Sequence, residues 1–142
     1  MDEPGKLSVV LSIIVVIGLL SSLYGYNDYR SGGQLCNAVF EGGIIDCESV
    51  YSYGEVEVFG ISLHFSEIAP IYFISLTLFL SLYILLNKNY YLYILKLLFI
   101  LGLVVIPYLV YIELFEANAL CIFCTIMHAS IILGSIIVYK YY

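Results

Sequence analysis

The sequence predicts an all-α integral membrane protein, a four-transmembrane-helix bundle with a long outer loop between helices 1 and 2. The first observation is composition: 63% of the 142 residues are hydrophobic and only 11% are charged. A water-soluble domain carries roughly 25% charged residues. The second is length, because four apolar stretches each approach the roughly 20 residues that cross a bilayer. We therefore expect one membrane domain spanning residues 1–142.

The predicted helices cover approximately residues 7–25, 68–86, 90–112 and 117–139, and the outer loop covers residues 26–67. We interpret the first stretch as a retained helix, because its apolar run is long and no small-residue cleavage site follows it. The outer loop is expected to be functional, since long loops are uncommon in compact domains. Its segment VEVFGISLHF fits either a short strand or an amphipathic half-helix on the membrane surface.

The distribution of cations predicts the orientation. Lys6 lies in the N-terminal tail, Lys88 and Lys96 flank the second connection, and Lys140 follows the fourth helix. The positive-inside rule therefore places both termini in the cytoplasm and the outer loop on the extracytoplasmic side of the cell membrane. The formal net charge of −6 argues against a nucleic-acid partner, which requires a basic surface.

All four cysteines fall on the same predicted side of the membrane. Cys36 and Cys47 belong to the outer loop, whereas Cys121 and Cys124 form a CxxC motif at the start of the fourth helix. Disulfides persist outside the cytoplasm. The first turn of a helix lowers the pKa of a thiol, which favours reactivity. A mobile pair and a fixed pair on one surface predict electron transfer by thiol–disulfide exchange.

Two other interpretations of the cysteines remain open. Four cysteines can form a tetrahedral zinc site, because CxxC is a common half-site. Alternatively, two inert disulfides staple a non-enzymatic membrane interaction protein. Ile122 and Phe123, between the two thiols at a membrane helix start, make a poor metal-binding turn. We therefore favour redox chemistry.

His128 shares a helix face with the CxxC motif, one turn deeper than Cys124. An ionisable side chain at membrane depth faces the bundle interior or a ligand. Two thiols above a hydrogen-bonding imidazole would suit a lipid-soluble electron acceptor such as a quinone. A hydrogen bond between helices is the alternative role for His128.

Taken together, these features resemble the vitamin K epoxide reductase family, in its archaeal and bacterial branch without a fused thioredoxin-like domain. The resemblance covers the four helices, the outer-loop cysteine pair, the CxxC motif and the stretch CESVYSYGEVEVFGIS. In that stretch the family pattern is matched by Cys47, Ser52, Tyr53, Phe59, Gly60 and Ile61.

The resemblance implies a quinone-dependent thiol oxidoreductase that generates disulfides outside the cytoplasm. Electrons would pass from a separate thioredoxin-like (DsbA-like) protein to Cys36, and Cys47 would exchange with Cys121. Cys124 would then reduce a membrane quinone, whether menaquinone, ubiquinone or a vitamin K-like molecule. Reduction of a vitamin K-type epoxide by the same cysteines is the alternative reaction.

The resemblance also implies that the quinone contacts Cys124, His128, Phe59 and His64. Leu63 stands near an asparagine that binds the quinone elsewhere in the family, and Ser62 replaces a proline of the bacterial members. His64 is adjacent and is the candidate for the second hydrogen bond. Of these two interpretations of His64, a surface position is the favoured one.

Overall fold

The computed structural model describes residues 3–39, 43–58 and 60–142. Its elements in chain order are α1 (Glu3–Arg30), α2 (Gln34–Val39), α3 (Cys47–Tyr51), β1 (Glu55–Val58), β2 (Ile61–His64), α4 (Phe65–Leu86), α5 (Asn89–Tyr111) and α6 (Ile122–Tyr141), with a π-helical turn at Ile112–Glu116 after α5. Four helices (α1, α4, α5 with its π turn, and α6) are long and apolar enough to cross a membrane. The predicted fold class is confirmed.

The helix ends differ from the prediction at two places. Helix α1 continues through polar residues to Arg30 and is followed by Gly32 and Gly33, whose positive φ angles end the helical path. The fourth membrane helix begins at Ile122 rather than near residue 117. The preceding residues form an irregular segment, in which Asn118 has a φ of 48°.

The four long helices pack around one apolar core. Helix α1 packs against α4 and α6, and α5 packs against the same two helices. The fully or nearly buried core residues are Leu11, Val15, Phe73, Leu76, Leu80, Leu95, Phe99, Ile106, Ile131 and Val138. Gly18 lets α1 approach α4 closely, because a Cβ there would overlap the ring of Phe73. Large apolar side chains such as Ile71, Val104 and Ile136 face outward, as lipid contact requires.

The outer connection between α1 and α4 is structured at both ends. Strands β1 and β2 form an antiparallel hairpin in which Glu55 pairs with His64 and Val58 with Ile61. The strand interpretation of this segment is therefore correct, and the half-helix interpretation is wrong. The backbone N–H of Phe65 donates to the carbonyl of Gly54 at 2.9 Å, which fixes the hairpin onto the start of α4.

Candidate redox site

The two cysteine pairs lie in one buried cluster above the helix bundle. Cys36 and Cys47 form a disulfide with a Cα–Cα distance of 6.0 Å. Cys121 and Cys124 are free thiols. Cys36, Cys47 and Cys121 are all buried together with Val50, Tyr51 and Ala119. The structure therefore brings the outer-loop pair beside the CxxC motif.

A short parallel bridge holds the outer loop against the start of α6. The N–H of Asp46 donates to the carbonyl of Leu120 at 3.1 Å, and the N–H of Leu120 donates to the carbonyl of Ile44 at 2.8 Å. Because Cys47 and Cys121 follow this bridge immediately, their backbones enter the cluster side by side. This tertiary pairing also explains why α6 starts later than the apolar run in the sequence suggests.

Helix α3 begins at Cys47 and is capped by Asp46. The Asp46 carboxylate accepts hydrogen bonds from the backbone N–H of Ser49 at 3.2 Å and from its hydroxyl at 2.6 Å. These bonds favour the charged form, so they lower the pKa of Asp46. The cap fixes the direction in which Cys47 enters the cluster.

Asp28, at the end of α1, is completely buried and holds the other half of the outer loop. One carboxylate oxygen accepts from the N–H groups of Leu35 at 2.7 Å and Cys36 at 3.3 Å, at the start of α2. The other accepts from the hydroxyl of Tyr51 at 3.1 Å. A single carboxylate therefore joins α1, α2 and α3 around the disulfide.

Cys121 is the N-cap of α6, and its sulfur accepts the backbone N–H of Cys124 at 3.5 Å. The Cys121 thiol also lies 3.9 Å from the hydroxyl of Tyr51. Hydrogen bonds from the Cys124 thiol, from the Cys124 N–H and from Tyr51 lower the pKa of Cys121, although burial opposes them. Burial, together with negative charge on Cys121 and Asp28, raises the pKa of Tyr51.

A cavity of about 200 Å³ opens below the cluster, between α4, α5 and α6. Its walls are mostly apolar and include Ile68, Phe73, Val105 and Ile131. The polar or ionisable side chains that line it are Tyr51, His64, Ser66, Tyr72, Glu113, Cys124 and His128. Of the four cysteines, Cys124 is the one on this wall. The two thiols of the CxxC motif therefore face different surroundings.

His128 is buried on the cavity wall, one turn of α6 below Cys124. Among the described residues, no backbone or side-chain group forms a hydrogen bond with its imidazole. A hydrogen bond between helices therefore does not account for this histidine in the described part of the chain. Its side chain borders the cavity instead.

His64 is buried, with only 5% of its surface exposed, so the surface interpretation of this residue is wrong. It caps α4: its Nδ1 accepts the N–H of Ser66 at 3.0 Å, and its Nε2 donates to the carbonyl of Tyr51 at 2.8 Å. The ring stacks on Tyr29 with a centroid distance of 4.0 Å. His64 reaches the cavity wall, but backbone groups occupy both ring nitrogens. Phe59 lies outside the described residues.

Three polar residues of the site escaped the sequence analysis. Asp28 and Tyr51 join the cluster through tertiary contacts, although Tyr51 stands one helical turn after Cys47, which is a usable signal. Glu113 is only 3% exposed and lines the cavity from the π-helical turn. Single π-helical turns inside α-helices frequently mark functional sites.

One group of side chains has the donor types of a metal site. Ligand atoms of Asp28, Cys36 and Cys47 lie within 4.8 Å of one another. In this structure both sulfurs belong to the disulfide. The group also leaves out Cys121 and Cys124, so it differs from the four-cysteine zinc site considered from the sequence.

Comparison with known families agrees with this geometry. The family model described as the vitamin K epoxide reductase family matches residues 9–139, which include all four cysteines and nearly the whole of the four long helices. No individual curated protein matches the chain.

Proposed function

The chain belongs to the vitamin K epoxide reductase family, and from that premise we propose that it is a quinone-dependent thiol oxidoreductase generating disulfides outside the cytoplasm. Family membership and the Cys36–Cys47 disulfide support a thiol oxidoreductase. The proposal that the electron acceptor is a membrane quinone depends on one observation. Cys124 lines an apolar cavity between membrane helices, while Cys121 lies in the buried cluster with the disulfide.

The residues of the cavity fit a quinone. Ligand sites are mostly apolar with a few placed polar groups, and this cavity combines apolar walls with a thiol, an imidazole and a carboxyl group. A bound quinone would supply the acceptor for two electrons and two protons. Its ring would lie against residues such as Phe73 and Val105. His128 would donate a hydrogen bond to a carbonyl oxygen.

The cysteines divide the work between them. Cys124 faces the cavity and would deliver the electron pair to the quinone. Cys121 would then form a disulfide with Cys124. Cys47 and Cys36 would then return electrons to that disulfide by exchange. Glu113 and His128 flank Cys124 on the cavity wall and would exchange the protons that accompany the electrons.

The electrons would come from a separate thioredoxin-like (DsbA-like) protein that reduces the Cys36–Cys47 disulfide. In the proposed orientation both termini lie in the cytoplasm and all four thiols on the extracytoplasmic side. Residues 1–142 would act as a single domain. The four apolar helices support a multi-pass membrane protein, and the cation distribution supports this direction of insertion.

The test is quinone reduction by the purified full-length protein in detergent. The fully reduced protein should convert a water-soluble quinone to quinol, and Cys124→Ser should abolish the conversion. Cys36→Ser is the matched control, since it should keep turnover driven by a small dithiol and lose turnover driven by a thioredoxin-like protein. Full quinone turnover in Cys124→Ser would overturn the assignment.

Two further measurements separate the alternatives. Stoichiometric zinc bound to the four thiols of the purified protein would replace the redox function with a metal-binding one. For sidedness, the protein is reduced in sealed vesicles and labelled with a membrane-impermeant thiol reagent. Labelling of Cys36 from the cytoplasmic side would reverse the proposed orientation.

A further inference from the structure

A line of neighbouring polar atoms runs through the buried cluster from one cysteine pair to the other. The Asp28 carboxylate lies within 4.8 Å of the sulfurs of both Cys36 and Cys47. Its second oxygen is 3.1 Å from the Tyr51 hydroxyl, which is in turn 3.9 Å from the sulfur of Cys121. All five residues are buried.

We propose that Asp28 and Tyr51 form a proton relay that serves disulfide exchange between the two cysteine pairs. This inference rests on the exchange step of the proposed function. It concerns a transfer between the two cysteine pairs and not the quinone step, although Tyr51 also borders the cavity. Tyr51 contacts a reacting sulfur, and Asp28 adjoins two of them.

The chemistry of the exchange requires a proton to move across the cluster. In the first step Cys47 thiolate attacks the sulfur of Cys121 in the Cys121–Cys124 disulfide, which releases Cys124 thiolate. In the second step the Cys36 thiol attacks Cys47, forms the Cys36–Cys47 disulfide and releases Cys121. Two electrons pass to the CxxC pair, and one proton must leave Cys36 while one reaches Cys121.

The relay supplies this proton path without bulk water. Asp28 accepts the proton of Cys36, and Tyr51 donates its hydroxyl proton to the departing Cys121 sulfur and is reprotonated by Asp28. Cys121 then passes this proton to the Cys124 thiolate, so one proton moves from Cys36 to the CxxC pair and the negative charge that began on Cys47 ends on Cys121. The observed state, with a Cys36–Cys47 disulfide and two free thiols in the CxxC motif, is the product of this exchange.

The hydrogen bonds of Asp28 use both of its carboxylate oxygens. The bonds from the N–H groups of Leu35 and Cys36 need one acceptor oxygen, which asparagine also provides, whereas the Tyr51 hydroxyl is bonded to the second oxygen, which asparagine lacks. Burying a carboxylate is unfavourable unless it is paired with a cation. Within the described ranges no lysine or arginine forms an ion pair with Asp28. The second carboxylate oxygen is the atom through which the proposed relay reaches Tyr51.

The test follows the movement of the disulfide in Tyr51→Phe and Asp28→Asn. Fully reduced full-length protein receives one equivalent of water-soluble quinone, and samples quenched with an alkylating reagent are analysed by peptide mass. The exchange from Cys121–Cys124 to Cys36–Cys47 should slow about 100-fold in either variant, within the range of general acid–base catalysis. If Asp28→Asn fails to fold, Tyr51→Phe, which removes one oxygen atom, still gives the answer.

The pH profile separates a relay from a packing defect. Over the pH range in which Cys47 is already a thiolate, an internal path makes the wild-type exchange nearly independent of pH. Both variants should still speed up as pH rises in that range, because Cys36 must release its proton to water. Other titratable groups packed around the relay are unchanged in these variants: Tyr29, Glu48, His64, Glu113 and the four thiols.

Tyr29→Phe is the matched control, because Tyr29 belongs to the same cluster but its hydroxyl is not part of the line. It should exchange at the wild-type rate. The relay is wrong if the exchange rates of Tyr51→Phe and Asp28→Asn lie within twofold of the Tyr29→Phe rate. It is also wrong if both variants exchange more slowly but keep the pH profile of the wild-type protein. If wild-type protein forms no quinol, the proposed quinone reduction is wrong, but the relay can still be tested. Diamide, which oxidises dithiols directly, then replaces the quinone as the oxidant that starts the time course.

Discussion

The sulfur of Cys121 caps the helix that carries Cys124, since it accepts the Cys124 backbone N–H at 3.5 Å. The two thiols therefore lie in different surroundings. Cys121 sits where the backbone and the Tyr51 hydroxyl stabilise a thiolate, next to the outer-loop disulfide. Cys124 lies on the cavity wall. One turn of helix thus separates the exchange step from the proposed quinone step.

The first prediction concerns the ionisation of Cys121. Because hydrogen bonds lower its pKa, the first thiolate to form on raising the pH should appear below the ordinary cysteine value of about 8.5. A lower pKa means more thiolate at a given pH, so the CxxC pair should react at lower pH than a free thiol. Thiolate absorbance of protein that retains the Cys36–Cys47 disulfide measures this step.

Removing the Tyr51 hydroxyl should raise the pKa of Cys121 part of the way back to the ordinary cysteine value. Tyr51→Phe is expected to move the first titration step to higher pH, and Tyr29→Phe is expected to leave it in place. A first step at or above the ordinary cysteine value in the wild-type protein would contradict the hydrogen-bonded arrangement around Cys121.

The second prediction concerns His128 and quinone affinity. His128→Ala removes the proposed donor and should weaken quinone binding by about 1–3 kcal/mol, the effect of losing a buried hydrogen bond. That range corresponds to roughly a 5- to 150-fold rise in the apparent KM for quinone. Ser130→Ala is the control, because Ser130 is buried on the same helix and bonds the Ile126 carbonyl. An unchanged KM in His128→Ala would return His128 to a packing role.

The third prediction concerns the shape of the cavity. Gly102 lines the cavity, and a Cβ there would meet the Tyr72 hydroxyl and the Ile131 side chain. Gly102→Ala should push these two side chains and raise the KM for quinone, with destabilisation of about 1–3 kcal/mol from overpacking. Gly43→Ala is the control, since a Cβ at that position meets open space. A KM equal to that of the control would show that the ligand does not occupy this part of the cavity.

The sequence was sufficient for the parts of this protein that depend on local pattern. Membrane helices follow from runs of apolar residues, and the shared face of Cys124 and His128 follows from helical spacing. The segment VEVFGISLHF fitted either a short strand or a half-helix because its alternation is loose, and the pairing of β1 with β2 in a hairpin was not predicted. These features depend on neighbours in the sequence.

The rest depends on tertiary contacts that no local pattern encodes. His64 was expected near the surface, yet stacking on Tyr29 and hydrogen bonds to two backbone groups bury it. The start of α6 moved to Ile122 because Leu120 pairs with the distant Ile44. The roles of Asp28 and Tyr51 arise from contacts between residues 23 positions apart.

The last prediction concerns access to the outer-loop disulfide. The Cys36–Cys47 disulfide is buried, so a reductant reaches it only when the loop opens. Asp46 stabilises the closed loop by capping α3 at Cys47. Asp46→Ala should remove about 0.5–2 kcal/mol of that stabilisation. Reduction by a water-soluble phosphine should then be roughly 2- to 30-fold faster, if opening precedes reduction.

Reduction of the Cys36–Cys47 disulfide by the phosphine should become faster as the pH falls below the range in which Asp46 is charged. The hydrogen bonds from Ser49 hold the pKa of Asp46 below its unfolded value, so the carboxylate stabilises the closed loop fully above about pH 4. The stabilisation is lost as pH falls through the lowered pKa, and the rate of reduction should rise there. The effect should be modest and sensitive to salt, because the Asp46 side chain is partly exposed to solvent. Asp46→Asn keeps a capping oxygen without the charge, so it should lose the pH dependence with a smaller change in rate at neutral pH. Equal rates in wild type and Asp46→Ala would show that the loop opens elsewhere.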